Sequence, residues 1–374
     1  MKKVINLLFN DFTNDNRVLK ESRSLQHNGF QVELIATHFD KNLPKEERIE
    51  GIEVRRVDVG YFKSLPINLA VFWIKAILKY RKANIFHAND LYALPPAYII
   101  KKFFNKDAKI VYDCHEHETE AQIYVGKPLL KFMARIFEKG MIKSVDKILV
   151  VSKSIQEEYE EMYDIEKPTL ILNCPYLKNY KGRGLFREKL NIPKDKIIFL
   201  YQGKYQPGRG IEKLVELFKK IKKVNNNLVL VLLTYGKDIE KLKTVIRGVD
   251  NIYWHDKIPP NMYMNYVTSA DWGVHFMENT CKNHNYALPN KLFDYFMGNL
   301  PVVVSNLKEM SNFVNKHKVG YVIDLNNIEE TIEIFKNIKK GSKVKFLENV
   351  EIVRNQYIWE KQEKKLIKLY KSII

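Results

Sequence analysis

Short apolar, β-branched runs alternate along the chain with stretches whose apolar positions recur every three to four residues. Runs at residues 4–9, 32–36, 85–88, 109–113 and 147–151 predict strands, with helical patterns between them. The first helical pattern covers 17–28 and stops at Gly29. After a further run at 171–173 the polar, basic segment "PYLKNYKGRG" interrupts the alternation, and "KIIFLYQG" restarts it. Strands are predicted again at 228–234, 252–254, 272–276, 301–304 and 321–323. Strand–helix alternation of this kind predicts parallel sheets covered by helices on both faces. The pattern therefore predicts an α/β chain of two tandem Rossmann-like, doubly wound domains joined near residues 174–190. The boundaries read as 1–175, 176–355 and a final segment, 356–374, able to cross back onto the first domain.

Two apolar stretches invite a membrane or export reading, and length argues against it. The N-terminal run ends at Phe9, too short for a signal sequence, and reads as a buried first strand. The charge-free stretch 64–74 is too short to span a bilayer. Cys114, Cys174 and Cys281 are odd in number and widely spaced, which fits a reducing compartment and neither disulfides nor zinc.

Charge changes the picture more. The net charge is +18, yet residues 1–175 hold 27 Lys/Arg against 24 Asp/Glu, so the excess lies in the second half. Such a field favours nucleotides, phosphorylated substrates, nucleic acid or an anionic membrane, unless it is only a lysine-rich surface. Nucleic acid would call for cations interleaved with aromatic residues on one surface. Here the cations are scattered over helices, and no nucleic-acid partner is expected.

In open parallel sheets ligands bind beyond the carboxyl ends of the strands, so the strand-to-helix turns carry the candidate chemistry. The first, "FNDFTNDNRVLKE", lacks G-x-G-x-x-G and speaks against a nicotinamide cofactor. The turn "YQGKYQPGRGIEKL" approaches a P-loop, but Arg209 and Gly210 stand where Lys and Ser/Thr would be, which excludes ATPase chemistry. Lys204 and Arg209 on a glycine-rich loop opening a helix suit a diphosphate. In "VYDCHEHETE", His115 follows a buried strand among carboxylates, without metal-ligand spacing. It is a candidate hydrogen-bond donor or acid–base group. In "ALPNKLFDYFMGNLP", Pro289 opens a short helix whose first free N–H groups, at Asn290 and Lys291, form a second candidate anion site. Asp294, one turn in, has the chemistry to accept from ribose hydroxyls.

These elements, in this order and over essentially the whole chain, resemble the retaining glycosyltransferases of the GT-B fold, specifically the family-4-like group. The resemblance sets Lys204 and Arg209-Gly210 at the donor diphosphate and His115 near the donor sugar. It aligns Ala270-Asp271-Trp272 and Asn173-Cys174-Pro175 with recurring family patterns, and "YIWEKQEKKLIKLY" with a helix that crosses back. Asp294 matches the second acid of the family's Glu-x7-Glu motif. Tyr286 stands where the first acid belongs, in a Pro-Asn-Lys version of the loop, and Glu278, His284 or Asn285 are left to take over its sugar contacts.

The resemblance implies sugar transfer from a nucleotide-sugar donor to an acceptor hydroxyl, with retention, in bacterial cell-surface polysaccharide or glycolipid assembly. Pro289, Asn290, Lys291 and Asp294 would bind the donor with Lys204 and Arg209. The acceptor would be a saccharide or a lipid-linked one. No D-x-D sequence occurs, so metal-independent catalysis without a cofactor is expected. A nucleotide-sugar epimerase of the same architecture and an inactive GT-B partner subunit are the alternatives. Lys127, Lys131, Arg135, Lys139 and Lys143 recur every fourth residue among Leu129, Leu130, Phe132, Met133, Ile136, Phe137, Met141 and Ile142. With the basic stretch 61–82, which carries Phe62, Phe72 and Trp73, they predict either a face for an anionic bilayer or the solvated side of ordinary helices. The location expected is cytoplasmic, at the inner face of the cell membrane if that surface is used.

Overall fold

The computed structural model describes residues 2–13, 15–60, 64–180, 182, 184–206, 208–236 and 238–374. The linker residues Lys181 and Arg183, Pro207 of the glycine loop, and Tyr61, Phe62 and Lys63 of the second basic stretch lie outside the described residues. The chain divides into two units, Met1–Asn173 with Lys361–Ile374, and Cys174–Glu360.

The first unit runs β1 (Lys3–Leu7), α1 (Asn16–His27), β2 (Gln31–Thr37), β3 (Glu46–Ile49), β4 (Ile52–Val57), α2 (Leu65–Tyr80), β5 (Ile85–Asn89), α3 (Asp90–Ile99), β6 (Lys109–Cys114), α4 (Pro128–Ile142), β7 (Lys147–Val150), α5 (Lys153–Tyr163) and β8 (Thr169–Leu170). Its sheet has the order β3-β4-β2-β1-β5-β6-β7-β8, with every pairing parallel except β3 with β4. The central strands β1 and β5 are buried along nearly their whole length, as a sheet covered on both faces requires. Helix starts follow local chemistry: the Asp15 carboxylate accepts the Val18 N–H at 3.2 Å, and Ser152 Oγ accepts from Ile155 at 3.3 Å.

The periodicity missed the β3–β4 hairpin. Glu50 and Gly51 both have positive φ (48° and 89°) and join the paired Ile49 and Ile52 as a two-residue turn. Six of the ten strand residues of the hairpin are charged, because β3 is a solvated edge strand that needs no apolar face. The last pairing of the sheet falls on Thr169–Leu170, one step before the apolar run at 171–173.

The second unit runs α6 (Leu185–Leu190), β9 (Ile197–Lys204), α7 (Ile211–Ile221), β10 (Leu228–Tyr235), α8 (Ile239–Ile246), β11 (Ile252–His255), α9 (Tyr263–Val267), β12 (Trp272–His275), α10 (Lys282–Tyr286), α11 (Asn290–Met297), β13 (Val302–Ser305), α12 (Lys308–His317), β14 (Gly320–Ile323), α13 (Ile328–Lys336) and α14 (Val344–Gln356). Its sheet, β11-β10-β9-β12-β13-β14, is wholly parallel. Trp272 forms the hub of its core, stacked on Phe199 at 5.8 Å and on Tyr321 at 5.7 Å. Gly273 lets α11 approach the sheet: a Cβ there would stand 2.3 Å from the Tyr295 ring.

The closing helix α15 (Trp359–Lys371) belongs, from Lys361 onward, to the first unit. Tyr370 is fully buried there, edge-on to Phe30 at 5.5 Å. Among the described residues no helix is long and apolar enough to cross a membrane.

Candidate functional site

In the second unit β9 runs into the glycine loop, and α7 begins after Gly210 (φ 66°). The loop is tied down where the Gly208 carbonyl accepts the Glu278 N–H at 3.0 Å. Arg209 leaves this loop partly exposed. The short helix α11 starts at Asn290, so Pro289 is its cap rather than its first helical residue (φ −65°, ψ 138°). Among the described residues no side chain caps α11, and Asn290 and Lys291 fill its first turn.

Lys291 turns its ammonium back over the end of β9. A Cβ on Gly203 would lie 2.1 Å from Lys291 Nζ and displace the ammonium from this place, and the φ of +138° itself favours glycine. Nζ also stands 5.7 Å from the centre of the Tyr201 ring. Burial pushes Lys291 down to about 7, the nearby Arg209 pushes the same way, and Asp294 opposes both. Among the described residues neither Lys291 nor Arg209 has an ion pair or a side-chain hydrogen bond. Two like charges are thus held together without a paired carboxylate. Asp294 accepts from Tyr263 Oη at 3.0 Å.

Beside the cations sits a group of polar residues that sequence reasoning did not select. His275 lies parallel to Tyr201, with centroids 6.3 Å apart. Burial first, then Lys291 and Arg209, keep it neutral. Both His275 ring nitrogens, the Tyr201 and Thr234 hydroxyls and both amide atoms of Gln202 are buried without a hydrogen-bond partner among the described residues. Each orphan demands a reason, and all lie toward the carboxyl ends of β9, β10 and β12. The signal was available: polar residues interrupt apolar strands in "LYQG", "LLTY" and "GVHF".

The other expected residues are placed as follows. Lys204 is exposed and unpaired among the described residues. Glu278 pairs with Lys213 at 3.1 Å. His284 Nδ1 lies 3.0 Å from the Glu278 carbonyl and 2.9 Å from Thr280 Oγ1, and burial lowers its pKa. Asn285 Oδ1 accepts the Lys308 N–H at 2.9 Å. Tyr286, in the place of the first acid, has the ammonium groups of Lys308 and Lys282 at 4.8 and 5.3 Å from its ring centre.

In the first unit His115 follows β6, one-fifth exposed, with Nε2 3.0 Å from Asp113 Oδ2. Its backbone N–H bonds Asp90 Oδ1 at 3.2 Å, and Asp90 starts α3 from a strained left-handed position (φ 63°). Burial opposes charge on the imidazole, but Asp90 and Asp113 together overcome it and raise its pKa to about 10. His115 is an imidazolium at neutral pH. Glu21, His87 and Asp113 bring ligand atoms within 4.8 Å of one another, a spacing that suits a metal ion. A cation already occupies that corner, since Arg17 Nη2 lies 2.6 Å from Asp113 and 3.1 Å from Glu21.

Two doubly wound parallel sheets, the second bearing a cationic glycine loop beside a lysine-opened helix, define a GT-B-type glycosyltransferase. The chain belongs to the family of glycosyl transferases group 1, which matches residues 183–371, and residues 16–174 match Glycosyltransferase Family 4. A stretch of 106 residues is 29% identical to the lipopolysaccharide 1,2-N-acetylglucosaminetransferase of Salmonella typhimurium, and the match spans 28% of each chain. Sucrose-phosphate synthase from Thermosynechococcus elongatus shares the fold with a TM-score of 0.81 at 18% identity, over 100% of this chain and 99% of that one. HepE from Anabaena, solved with UDP and glucose, gives 0.76 at 14% identity over the full length of both chains. WaaG, a glycosyltransferase involved in lipopolysaccharide biosynthesis, gives 0.71 at 14% identity over 98% and 99%.

Proposed function

We propose that the protein transfers a sugar, with retention, from a nucleoside-diphosphate donor to an acceptor hydroxyl of a surface polysaccharide or glycolipid. The observation that carries this reading is the pair Arg209 and Lys291, which repel one another while neither forms an ion pair among the described residues. A diphosphate supplies the missing negative charge, and the first N–H groups of α11 add to its binding. The leaving diphosphate gains charge as the glycosyl bond breaks, so fixed cations at this place stabilise the transition state. Asp294 then accepts from the ribose, and His115 contributes an imidazolium on the first unit. HepE, which was solved with UDP-glucose, makes UDP-sugars the first donors to test. The lipopolysaccharide roles of the Salmonella enzyme and of WaaG point to a glycolipid acceptor.

The test is a thermal-shift screen against sugar nucleotides, followed by a radiolabelled transfer assay with the donor that binds. Transfer is expected to persist in EDTA, because cations of the chain itself face the diphosphate. Strict dependence on added Mg²⁺, or no shift with any donor, overturns the reading.

Anchorage to an anionic bilayer through α4 belongs to the same proposal. Leu129, Phe132, Met133 and Ile136 are each more than half exposed, at 71, 59, 57 and 55%. Glu138, the single acid of α4, points inward and accepts from Tyr112 and Tyr159 at 2.8 and 2.9 Å and from Tyr163. The outer face is therefore apolar and basic, complementary to anionic headgroups over acyl chains. Lys131 and Arg135 are drawn onto Glu120 and Lys143 pairs with Asp164 at 3.8 Å, which leaves Lys127 and Lys139 as the outer cations, at about 1 kcal/mol each near such a surface. The second basic stretch contributes less than expected. Phe72 is completely buried, and Trp73 stacks on Phe137 while donating to the Tyr92 carbonyl at 2.8 Å. The protein is expected to co-sediment with phosphatidylglycerol-containing liposomes at low salt and to be released by Phe132→Glu with Ile136→Glu. No binding at low salt overturns the anchorage and leaves the transferase reading untouched.

A further inference from the structure

Asp113, completely buried at the end of β6, receives Arg17 Nε on Oδ2 at 2.8 Å, Arg17 Nη2 on Oδ1 at 2.6 Å, and His115 Nε2 on Oδ2 at 3.0 Å. Arg17 is held in turn by the Ile171 carbonyl at 2.9 Å. On the neighbouring strand His87 Nε2 stands 3.4 Å from Glu21 Oε2 and 3.6 Å from Asp113 Oδ2. The other His87 nitrogen, Nδ1, lies 2.6 Å from the hydroxyl of Tyr370. That phenol, deeply buried and fully protonated, has no other acceptor among the described residues, so it donates to Nδ1. Burial keeps His87 neutral. Its single proton must then sit on Nε2, facing the Glu21 and Asp113 carboxyl groups.

We infer that Arg17 and Tyr370 are positioning residues for His115: Arg17 clamps Asp113, Tyr370 fixes the His87 tautomer, and Asp113 thereby holds His115 Nε2. The ring N–H left outside a hydrogen bond is Nδ1, whose nearest carboxylate oxygen, on Asp90, is 3.6 Å away. The imidazolium thus presents one N–H in a fixed direction, and the closing helix takes part in aiming it through Tyr370. The inference rests on reading His115 as a donor-facing group.

Tyr370→Phe tests it, read by ¹⁵N-histidine NMR and by steady-state kinetics beside His115→Ala. The variant is expected to stay folded, with Tm lowered by about 2–4 °C. The His87 signals should leave the pure Nε2–H tautomer, the His115 signals should shift, and kcat should fall about tenfold with the donor KM unchanged. A lower Tm with unmoved His115 signals and unchanged kcat means a purely structural bond and overturns the inference. Full turnover of His115→Ala refutes the catalytic reading of His115, while the NMR shifts in Tyr370→Phe still decide the positioning. If Tyr370→Phe does not fold, Glu21→Gln, which matches in shape an acid that burial pushes up to about 8, carries the same readouts.

Discussion

Arg209→Ala is expected to lower kcat by about 10²–10³ and to leave the melting temperature within a few degrees of the parent, as loss of one preorganised transition-state donor does. The structure separates these two outcomes. Arg209 sits on a loop whose backbone is held by Gly208 and Glu278, and its guanidinium has no ion pair or side-chain hydrogen bond among the described residues. No described partner is stranded by its removal, so folding is not taxed. Removing Arg209 also relieves the charge beside Lys291, so the lysine ionises more readily in the variant. Donor affinity should therefore fall less than turnover does. Arg209→Lys keeps a charge but loses the planar fork and is expected to recover only part of the rate. Near-normal turnover of Arg209→Ala on the native donor would remove the diphosphate assignment.

The architecture was legible because strand burial is written in β-branched runs, and glycine and proline mark where they end. The order of predicted strands already implied two parallel sheets. The edge hairpin was not legible, since a solvated edge strand carries charges where a central one carries valine. Candidate site residues were legible where a backbone device exposes them: the glycine loop draws attention to Arg209, and the proline before α11 to Lys291, whose roles at a donor are proposals. His275, Gln202, Thr234 and Tyr201 were not. Their meaning lies in having no partner, and an unsatisfied atom is a property of three-dimensional packing that no spacing encodes. The same holds for Arg17. As a basic residue in the first turn of a helix it looks solvated, and only the pairing of β1, β5 and β6 turns it into the clamp on Asp113. The stripe of cations on α4 shows the reverse error. Fourfold spacing counted five equivalent charges, while the structure commits Lys131 and Arg135 to Glu120.

Lys291 gives the second large effect, and its sign follows from the site. In the free protein its pKa is about 7, pushed down by burial and by Arg209. A bound diphosphate stabilises the charged form, so donor binding above pH 7 takes up a proton. The sugar nucleotide itself is a diester whose charge is constant in this range. Its affinity is expected to be flat below about pH 7 and to fall about tenfold per pH unit from about 7.5 to 9.5. Calorimetry in buffers of different ionisation enthalpy should find close to one proton taken up at pH 8.5. Lys291→Met should bind more weakly at pH 7 and lose both the slope and the proton. Stability moves the opposite way. The folded pKa lies below the unfolded value of about 10.4, so the folded state binds fewer protons between these limits and gains stability as pH rises through them. Lys291→Met escapes that penalty and should melt higher than the parent at pH 7, with the advantage shrinking as pH approaches 10. A variant that binds more weakly while melting higher is the mark of a cation kept for a ligand rather than for the fold. Donor affinity independent of pH from 6.5 to 9.5 would show that Lys291 does not face the diphosphate.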